Sequence, residues 1–321
     1  MTGGTRPASA AEISIVLPTD TIARITPVLD SLRDLALGER LEIVVVLPAG
    51  ESATAHEMNT KPVVRIHEVS SVYPLSSARA AGIRAATAPF VFIGETHSFP
   101  RPGMFEALLQ THADGNAVVV PIFENANPDL VVSWAGFLNG YAEWTEGANA
   151  GEITYAPLFN VSYDRSFLVG LGADLEHTLT AGGDMMGRIR GAGYSVWMEP
   201  RARIEHWNIE LMRDWLPQRL AAGRVIASLR SRRWPIHRRI AFALASPLIP
   251  LVLLARIRKG IARSIRHNRA PLRVLPTIAL GMLVQAAGEM AGYAAGVSAK
   301  ASRRYDEYEV RQLSFTDWHA R

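Results

Sequence analysis

The first half of this chain alternates short runs of strand-forming apolar residues with stretches of helical spacing, and that tempo restricts its fold more than any other feature. Residues 13–17 read ISIVL and stop at Pro18-Thr19-Asp20; residues 21–35 then set Ile22, Ile25, Val28, Leu29 and Leu32 three and four apart. Residues 41–47, LEIVVVL, are apolar apart from Glu42. A strand without alternation is buried on both faces, so strand, helix, strand in this order predicts a βαβ unit on a parallel sheet. The pattern continues through a strand at 63–66, an Ala- and Arg-rich helix over 77–86 and an apolar strand at 90–93, then a helix over 104–112 and a strand over 117–122. The expected fold class is α/β, a mostly parallel sheet flanked by helices.

Open α/β sheets take their ligands beyond the carboxyl ends of the strands. Glu95, Thr96 and His97 stand there after residues 90–93, ahead of a loop marked by Pro100, Pro102 and Gly103. In isolation Glu95 and His97 read as polar loop residues; together they also suit a divalent cation, because a hard ion prefers oxygen and Mn²⁺ accepts imidazole as well. Residues 129–144 carry Leu130, Val131, Trp134, Phe137, Leu138, Tyr141 and Trp144 as a stripe at helical spacing. Such a stripe is ordinary core, although the indole of Trp134 or Trp144 would also serve as a platform for a sugar. A helix over 185–193, MMGRIRGAG, is preceded by Asp184, which reads equally as a helix cap or as a reactive carboxylate, with Glu176 and Asp174 nearby. Strands at 195–198 and 202–205 lead to His206.

In this order the segments resemble the family 2 glycosyltransferases of the GT-A fold, of the bacterial polysaccharide-biosynthesis type. The resemblance covers residues 13–208: SIVLPTD as the opening strand, Arg79 and Gly82 on the helix signature, Glu95-Thr96-His97 on Asp-x-Asp, Asn160 to Arg165 on a second signature, and His206 on a late ligand position. It implies an inverting transfer from a nucleotide-sugar donor, with Pro18, Thr19, Asp20, Arg79 and Glu95 at the donor. It further implies a divalent metal, Mn²⁺ or Mg²⁺, on Glu95, His97 and His206, and Trp134, Trp144 and Asn160 toward the acceptor. The chain departs from the family pattern where both aspartates of Asp-x-Asp are replaced, where Leu47 stands for a base-recognising Asp, and where the usual acidic pair falls on Gly182. Asp184, with Glu176 behind it, is the carboxylate the resemblance leaves for the catalytic base. A relative that kept the fold and only binds nucleotide-sugar or glycan is the alternative.

The 321 residues contain no cysteine, which excludes a disulfide framework and thiolate metal sites. Residues 1–11 are small and polar, a disordered lead-in without the apolar core of a secretory signal, so the catalytic part, residues 12–208, is expected in the cytoplasm. The formal net charge of +4 is concentrated in residues 209–321, a basic helical region. There a helix over 211–229 is followed by arginines 230, 232, 233, 238 and 239, an uncharged stretch at 240–255, a second basic block and an apolar stretch at 275–297 broken by Glu289. The first stretch falls short of the ~20 residues of a span, and arginines flank both ends of each. The reading is two interfacial or re-entrant segments on an anionic membrane surface, peripheral or monotopic on the cytoplasmic face of a bacterial inner membrane, with a buried helical hairpin as the alternative. Such a tail fits a lipid-linked or growing polysaccharide acceptor. Nucleic acid is not an expected partner, since it supplies no burial for the apolar stretches.

Overall fold

A computed structural model describes residues 11–35, 37–51, 62–267 and 270–318. The lead-in expected over residues 1–11 lies, apart from Ala11, outside the described residues. The expected strand-helix tempo is present: β1 (Ile13–Pro18), α1 (Ile22–Arg33), β2 (Leu41–Pro48), β3 (Val63–Val69), α2 (Leu75–Ala85) and β4 (Phe90–Ile93). Then come β5 (Ser98–Pro100), α3 (Met104–Ala113), β6 (Val118–Asn125), α4 (Val131–Tyr141), β7 (Gly151–Ile153), β8 (Val161–Asp164), α5 (Arg165–Gly170), α6 (Leu175–Thr178), α7 (Met185–Gly191) and β9 (Val196–His206). All strands join one sheet in the order β3-β2-β1-β4-β8-β6-β9-β5, with β7 added to β9.

The first four strands in space are parallel, as the uninterrupted apolar runs of β1 and β2 require, and both of these are buried almost throughout. Beyond β4 the sheet is mixed. β8 runs antiparallel between β4 and β6, and the short strands β5 and β7 pair antiparallel with β9. The two strands expected over 195–198 and 202–205 are one long strand, because the pairing of β6 with β9 shifts register between Pro121 and Ile122 and absorbs the residues around Pro200 as a bulge.

Glycine sets how closely α2 lies on the sheet. A Cβ on Gly82 would stand 2.8 Å from Val46 Cγ2 and also run into Val16, so only a residue without a side chain allows this approach. The same helix, one turn earlier, carries Arg79.

The basic region folds as α8 (Met212–Arg230), α9 (Ile236–Ala245), α10 (Ile249–His267), α11 (Val274–Ala295) and α12 (Ala299–Val310). α8 and α11 pack backbone to backbone through Gly223, Gly288 and Gly292, where any Cβ would strike a carbonyl oxygen of the opposite helix. α11 also lies on α4, and α10 is fixed to the turn after α4 by Arg263, which donates to the Glu143 carbonyl at 2.6 Å. Glu289, the charge inside the second apolar stretch, is buried at the α8 interface, accepting from Gln285 at 3.2 Å and standing 3.5 Å from Arg230.

The uncharged stretch at 240–255 is shorter than the helix that carries it. Pro247 and Pro250 occupy a single 3-10 turn and the start of α10 instead of ending the helix, so α9 and α10 run on as residues 236–267. This run and α11 are both long and apolar enough to cross a membrane by length and composition. The outward side of the run is unpartnered: Leu244 is 77% exposed, Leu251 66%, Val252 59% and Leu248 58%. A core hairpin would have covered them.

Candidate active site

β4 ends at Ile93, and Gly94 follows with its backbone so close to β1 that a Cβ would stand 2.7 Å from Leu17 Cδ2. The next residue, Glu95, is thereby delivered to the carboxyl edge of the parallel strands. Asn160 holds it there. Its amide donates to Glu95 Oε2 at 2.6 Å and to Ser98 Oγ at 2.9 Å, while its own backbone N–H donates to Ile93 O. Asn160 adopts φ 55°, a left-handed conformation that asparagine tolerates better than most residues and that turns its side chain back toward β4. Ser98 Oγ and the Tyr141 hydroxyl complete the donors to Oε2, at 3.3 and 3.4 Å.

His206, the last residue of β9, is paired with Ser98 on β5, so the two chain ends that carry His97 and His206 meet across one strand register. His97 Nε2 and His206 Nε2 are 3.0 Å apart, and Glu95 Oε2 lies 3.5 Å from the first and 3.7 Å from the second. All three residues are buried, and one ligand atom from each falls within 4.8 Å of the others.

The tautomer of His206 follows from its neighbour. The Asn208 amide donates to Asn125 Oδ1 and to the His206 carbonyl, both at 2.9 Å, which turns its Oδ1 toward His206 Nδ1, also at 2.9 Å. Nδ1 therefore carries the proton and Nε2 presents a lone pair toward His97 and Glu95. Burial, with His97 beside it, holds the His206 imidazole down at about 3, and burial with the Arg79 charge does the same for His97. Two neutral imidazoles and a carboxylate aimed at one point are the donor set of a divalent transition metal. The buried His97 ring also meets the backbone of Glu309.

Arg79 lies beside this group, buried, with its guanidinium 3.4 Å from the centroid of the Phe159 ring. Burial lowers its pKa, and the nearby Glu95, Glu309 and Asp306 oppose that shift. Glu309 and Asp306 belong to α12, which folds back over the site from the far end of the chain. Thr96 donates to the Val310 carbonyl at 2.9 Å, Asp306 accepts from the Leu75 backbone at 3.2 Å, and Gln312 donates to the Trp207 carbonyl at 2.7 Å. Burial and the facing Glu95 push the Glu309 carboxyl up to about 7.

A cavity of about 1590 Å³ opens beside the cluster. Glu95, His206, Arg79, Trp144, Glu176 and Asp184 stand on its wall, so the structure brings together six of the residues singled out in the sequence. His97, the third member of the cluster, and Asn160 lie behind Glu95, off the cavity wall. Trp134 does not reach the wall: its indole donates to the Pro128 carbonyl at 2.8 Å and packs edge-on against Phe137, so the core reading of the stripe holds for it. Pro18 and Thr19 close β1, and Asp20 is engaged by Arg24 at 2.7 Å and Arg311 at 3.0 Å, outside the cavity lining. Asp184 caps α7, accepting from the Gly187 backbone at 2.9 Å, and Glu176 accepts from Ser77 at 3.0 Å. Sequence reasoning gave Tyr141, Asn208 and Glu309 no place in the site. A polar residue two positions beyond His206 was the one signal available for Asn208.

The site is thus a buried carboxylate and imidazole cluster at the strand ends of an α/β sheet, facing a large cavity, the layout of a candidate metal-dependent enzyme. No protein-family model matches this chain, and no curated protein does. Among solved structures, the chain is similar to one described as the crystal structure of GalNAc-T7 with UDP, GalNAc and Mn²⁺, with 14% identity and a TM-score of 0.47. That match covers 63% of this chain and 44% of the other, less than half of its length.

Proposed function

We propose that the protein is a membrane-associated, metal-dependent glycosyltransferase of the GT-A type, moving a sugar from a nucleotide-sugar donor to a lipid-linked or growing polysaccharide acceptor. The observation that carries this reading is the convergence of Glu95, His97 and His206, distant in sequence, on one point at the edge of the cavity. Those three residues would hold Mn²⁺ or Mg²⁺, and the ion when bound supplies neutralisation of the diphosphate leaving group. Asn160 and Asn208 keep Glu95 and His206 in orientation, and Arg79 supplies a fixed positive charge for the phosphates. The acceptor oxygen bonds to the anomeric carbon as the bond from that carbon to the diphosphate breaks. The acceptor proton passes to a carboxylate on the wall, Asp184 or Glu176. Trp144 offers its ring to a sugar. The exposed leucines of α9 and α10, bordered by arginines, support attachment to an anionic membrane surface; the proposal sets the protein, peripheral or monotopic, on the cytoplasmic face of a bacterial inner membrane.

A second reading, a binding protein without catalysis, is favoured by one observation: the Asp184 carboxylate is already engaged as the cap of α7. Hydrolysis of nucleotide-sugar donors by the purified chain, with and without Mn²⁺, separates the two. Metal-dependent release of nucleoside diphosphate supports transfer; tight metal-dependent donor binding with no release supports the second reading, and neither behaviour sinks both.

A further inference from the structure

A second hollow, of about 580 Å³, shares no lining residue with the main cavity. β9 supplies Trp197 and Glu199, two residues apart and so on one face of the strand, and the end of α3 with its following turn supplies Thr111, Asp114 and Asn116. The register shift between β6 and β9 leaves Pro200, Arg201 and Ala202 unpaired, and Arg201 joins the lining from this bulge. Trp197 is in register with Val119 and His206 with Asn125, so the strands carry the hollow about 20 Å from the metal-ligand cluster. Its polar groups are fixed but not saturated. Glu199 is buried, accepts from the Thr111 hydroxyl at 2.7 Å and receives Arg201 as a fork, Nε at 2.9 Å and Nη2 at 2.8 Å. Arg201 Nη1 has no partner among the described residues, and the exposed Asp114 carboxylate accepts only from the Gln110 amide, at 3.4 Å. Trp197 is half-buried, and its indole makes neither a hydrogen bond nor a ring contact among the described residues.

We infer that this hollow binds a pyranose unit of a glycan, stacked on the Trp197 indole with its hydroxyls on Arg201, Asp114 and Asn116. A sugar ring presents C–H groups on its faces and, on its rim, hydroxyls that each donate and accept. The hollow offers the complement: a flat indole with a free N–H, a guanidinium nitrogen with protons to give and a carboxylate with lone pairs to spare. An anion is disfavoured, because Glu199 already neutralises Arg201 and Asp114 adds a negative charge. A purely apolar ligand would cover Arg201 Nη1 and the Asp114 carboxylate without replacing their water. The chain from Thr111 through Glu199 holds the guanidinium in place before a sugar arrives, so little ordering is left to binding. The inference goes beyond the transferase reading and does not need it: a glycan held here is anchored away from the metal-ligand cluster, whether that cluster transfers a sugar or only binds one.

The test uses the full-length chain, ¹⁵N-labelled at its seven tryptophans, in a detergent without sugar head groups and with EDTA. Trp197→Phe removes one indole N–H signal and so assigns it. Cellotetraose, chitotetraose, mannotetraose and galactotetraose are titrated in turn to ~10 mM, above the Kd on the order of 1 mM expected of one stacked ring. At least one of them is expected to move the Trp197 signal saturably, and saturation transfer from protein to sugar protons then gives its Kd. Asp114→Ala, on an exposed turn, is expected to weaken that binding about 10-fold through one charged hydrogen bond. Trp197→Ala is expected to abolish it, with an unchanged melting temperature showing that each variant is folded. If none of the four sugars moves the Trp197 signal, or if they move only the signals of other tryptophans, the hollow is not a glycan site and the inference is overturned. Binding that survives both Asp114→Ala and Trp197→Ala overturns it as well. Donor hydrolysis is followed in parallel and is expected to be the same in Trp197→Ala as in the unaltered chain. Hydrolysis without a Trp197 shift defeats this inference alone, whereas a Trp197 shift without hydrolysis upholds the glycan site and defeats the transferase reading.

Discussion

Asn208 offers a sharp test of the cluster because its side chain touches the candidate metal ligands only at His206. Asn208→Ala removes the acceptor that keeps the proton on His206 Nδ1 and leaves Asn125 Oδ1 without the donor now 2.9 Å away. Loss of an outer-shell partner of a ligating histidine weakens metal binding by roughly 10- to 100-fold, which corresponds to about 1.4–2.7 kcal/mol. The stability cost is separate, about 1–3 kcal/mol for the buried His206 Nδ1–H left without its acceptor, since Asn125 Oδ1 keeps Ser133 Oγ and the Asn127 backbone N–H as donors. Mn²⁺ affinity read from the free-ion EPR signal measures the first quantity, and urea unfolding in EDTA measures the second. Asn208→Asp resolves them: a carboxylate still accepts from His206 Nδ1 but no longer donates to Asn125, so Mn²⁺ binding should survive while stability falls. The reasoning is refuted if Asn208→Ala binds Mn²⁺ like the unaltered chain, or if Ala and Asp variants lose affinity equally, since either result makes Asn208 a structural residue only.

Asp184→Asn keeps the shape of the α7 cap but cannot take a proton, so transfer to a hydroxyl acceptor should fall by ~10² to 10⁴ with donor affinity little changed; an undiminished rate moves the role to Glu176. Burial holds His112 down at about 4, with its ring nitrogens against the Asn116 carbonyl and the Ser162 hydroxyl, both at 2.7 Å. The unfolded chain binds that proton near pH 6.5 and the folded chain does not, so stability should be full above pH 6.5 and fall by about 3 kcal/mol as pH drops through 4. Denaturant midpoints of the unaltered chain and His112→Gln between pH 4 and 7 check this, the variant lacking that part of the slope. Gly82→Ala places a methyl against Val16 and Val46, and should cost ~1–3 kcal/mol of unfolding free energy. A melting temperature unchanged by it would mean that α2 does not lie as close to the sheet as described. Purified protein should stay on anionic liposomes at high salt and leave them with detergent, because screening weakens arginine contacts but not the burial of Leu244 and Leu251; release by salt alone would rule out insertion.

What could be read from the sequence was what periodicity and order encode. Uniform apolar runs gave the buried parallel strands, and the strand end gave Glu95 and His97 as a pair, while His206 joined them only through the family resemblance. The antiparallel strands were illegible because β5 and β7 are three residues long, and β8, VSYD, lacks the unbroken apolar run that made the equally short β4, FVFI, readable. Asn160 was assigned to the acceptor on its place in a signature segment, whereas its left-handed backbone turns the amide onto Glu95, a direction that no spacing rule expresses.

The largest omission was α12, and its cause is instructive. The segment is short and polar and offers little apolar period, yet Tyr305, Tyr308 and Val310 fall three and two apart, with Tyr308 and Val310 buried. Its contacts join residues more than two hundred positions away: Asp306 to Leu75, Val310 to Thr96, Arg311 to Asp20. Asp20 is one of the residues that the resemblance gives to the donor, Thr96 adjoins Glu95, and Leu75 lies one turn before Arg79 on α2. The C-terminal segment therefore lines the same cavity as Arg79 and Glu95, and we propose that the division at residue 208 does not separate catalysis from attachment. An Arg311→Ala variant frees Asp20 from one of its two arginines and leaves the membrane-facing leucines untouched. If α12 is part of the donor site, nucleotide affinity should change by several-fold, about 0.5–1 kcal/mol for a half-exposed ion pair, while liposome binding stays constant. A change in liposome binding with no change for the nucleotide would return α12 to the membrane region and restore the division.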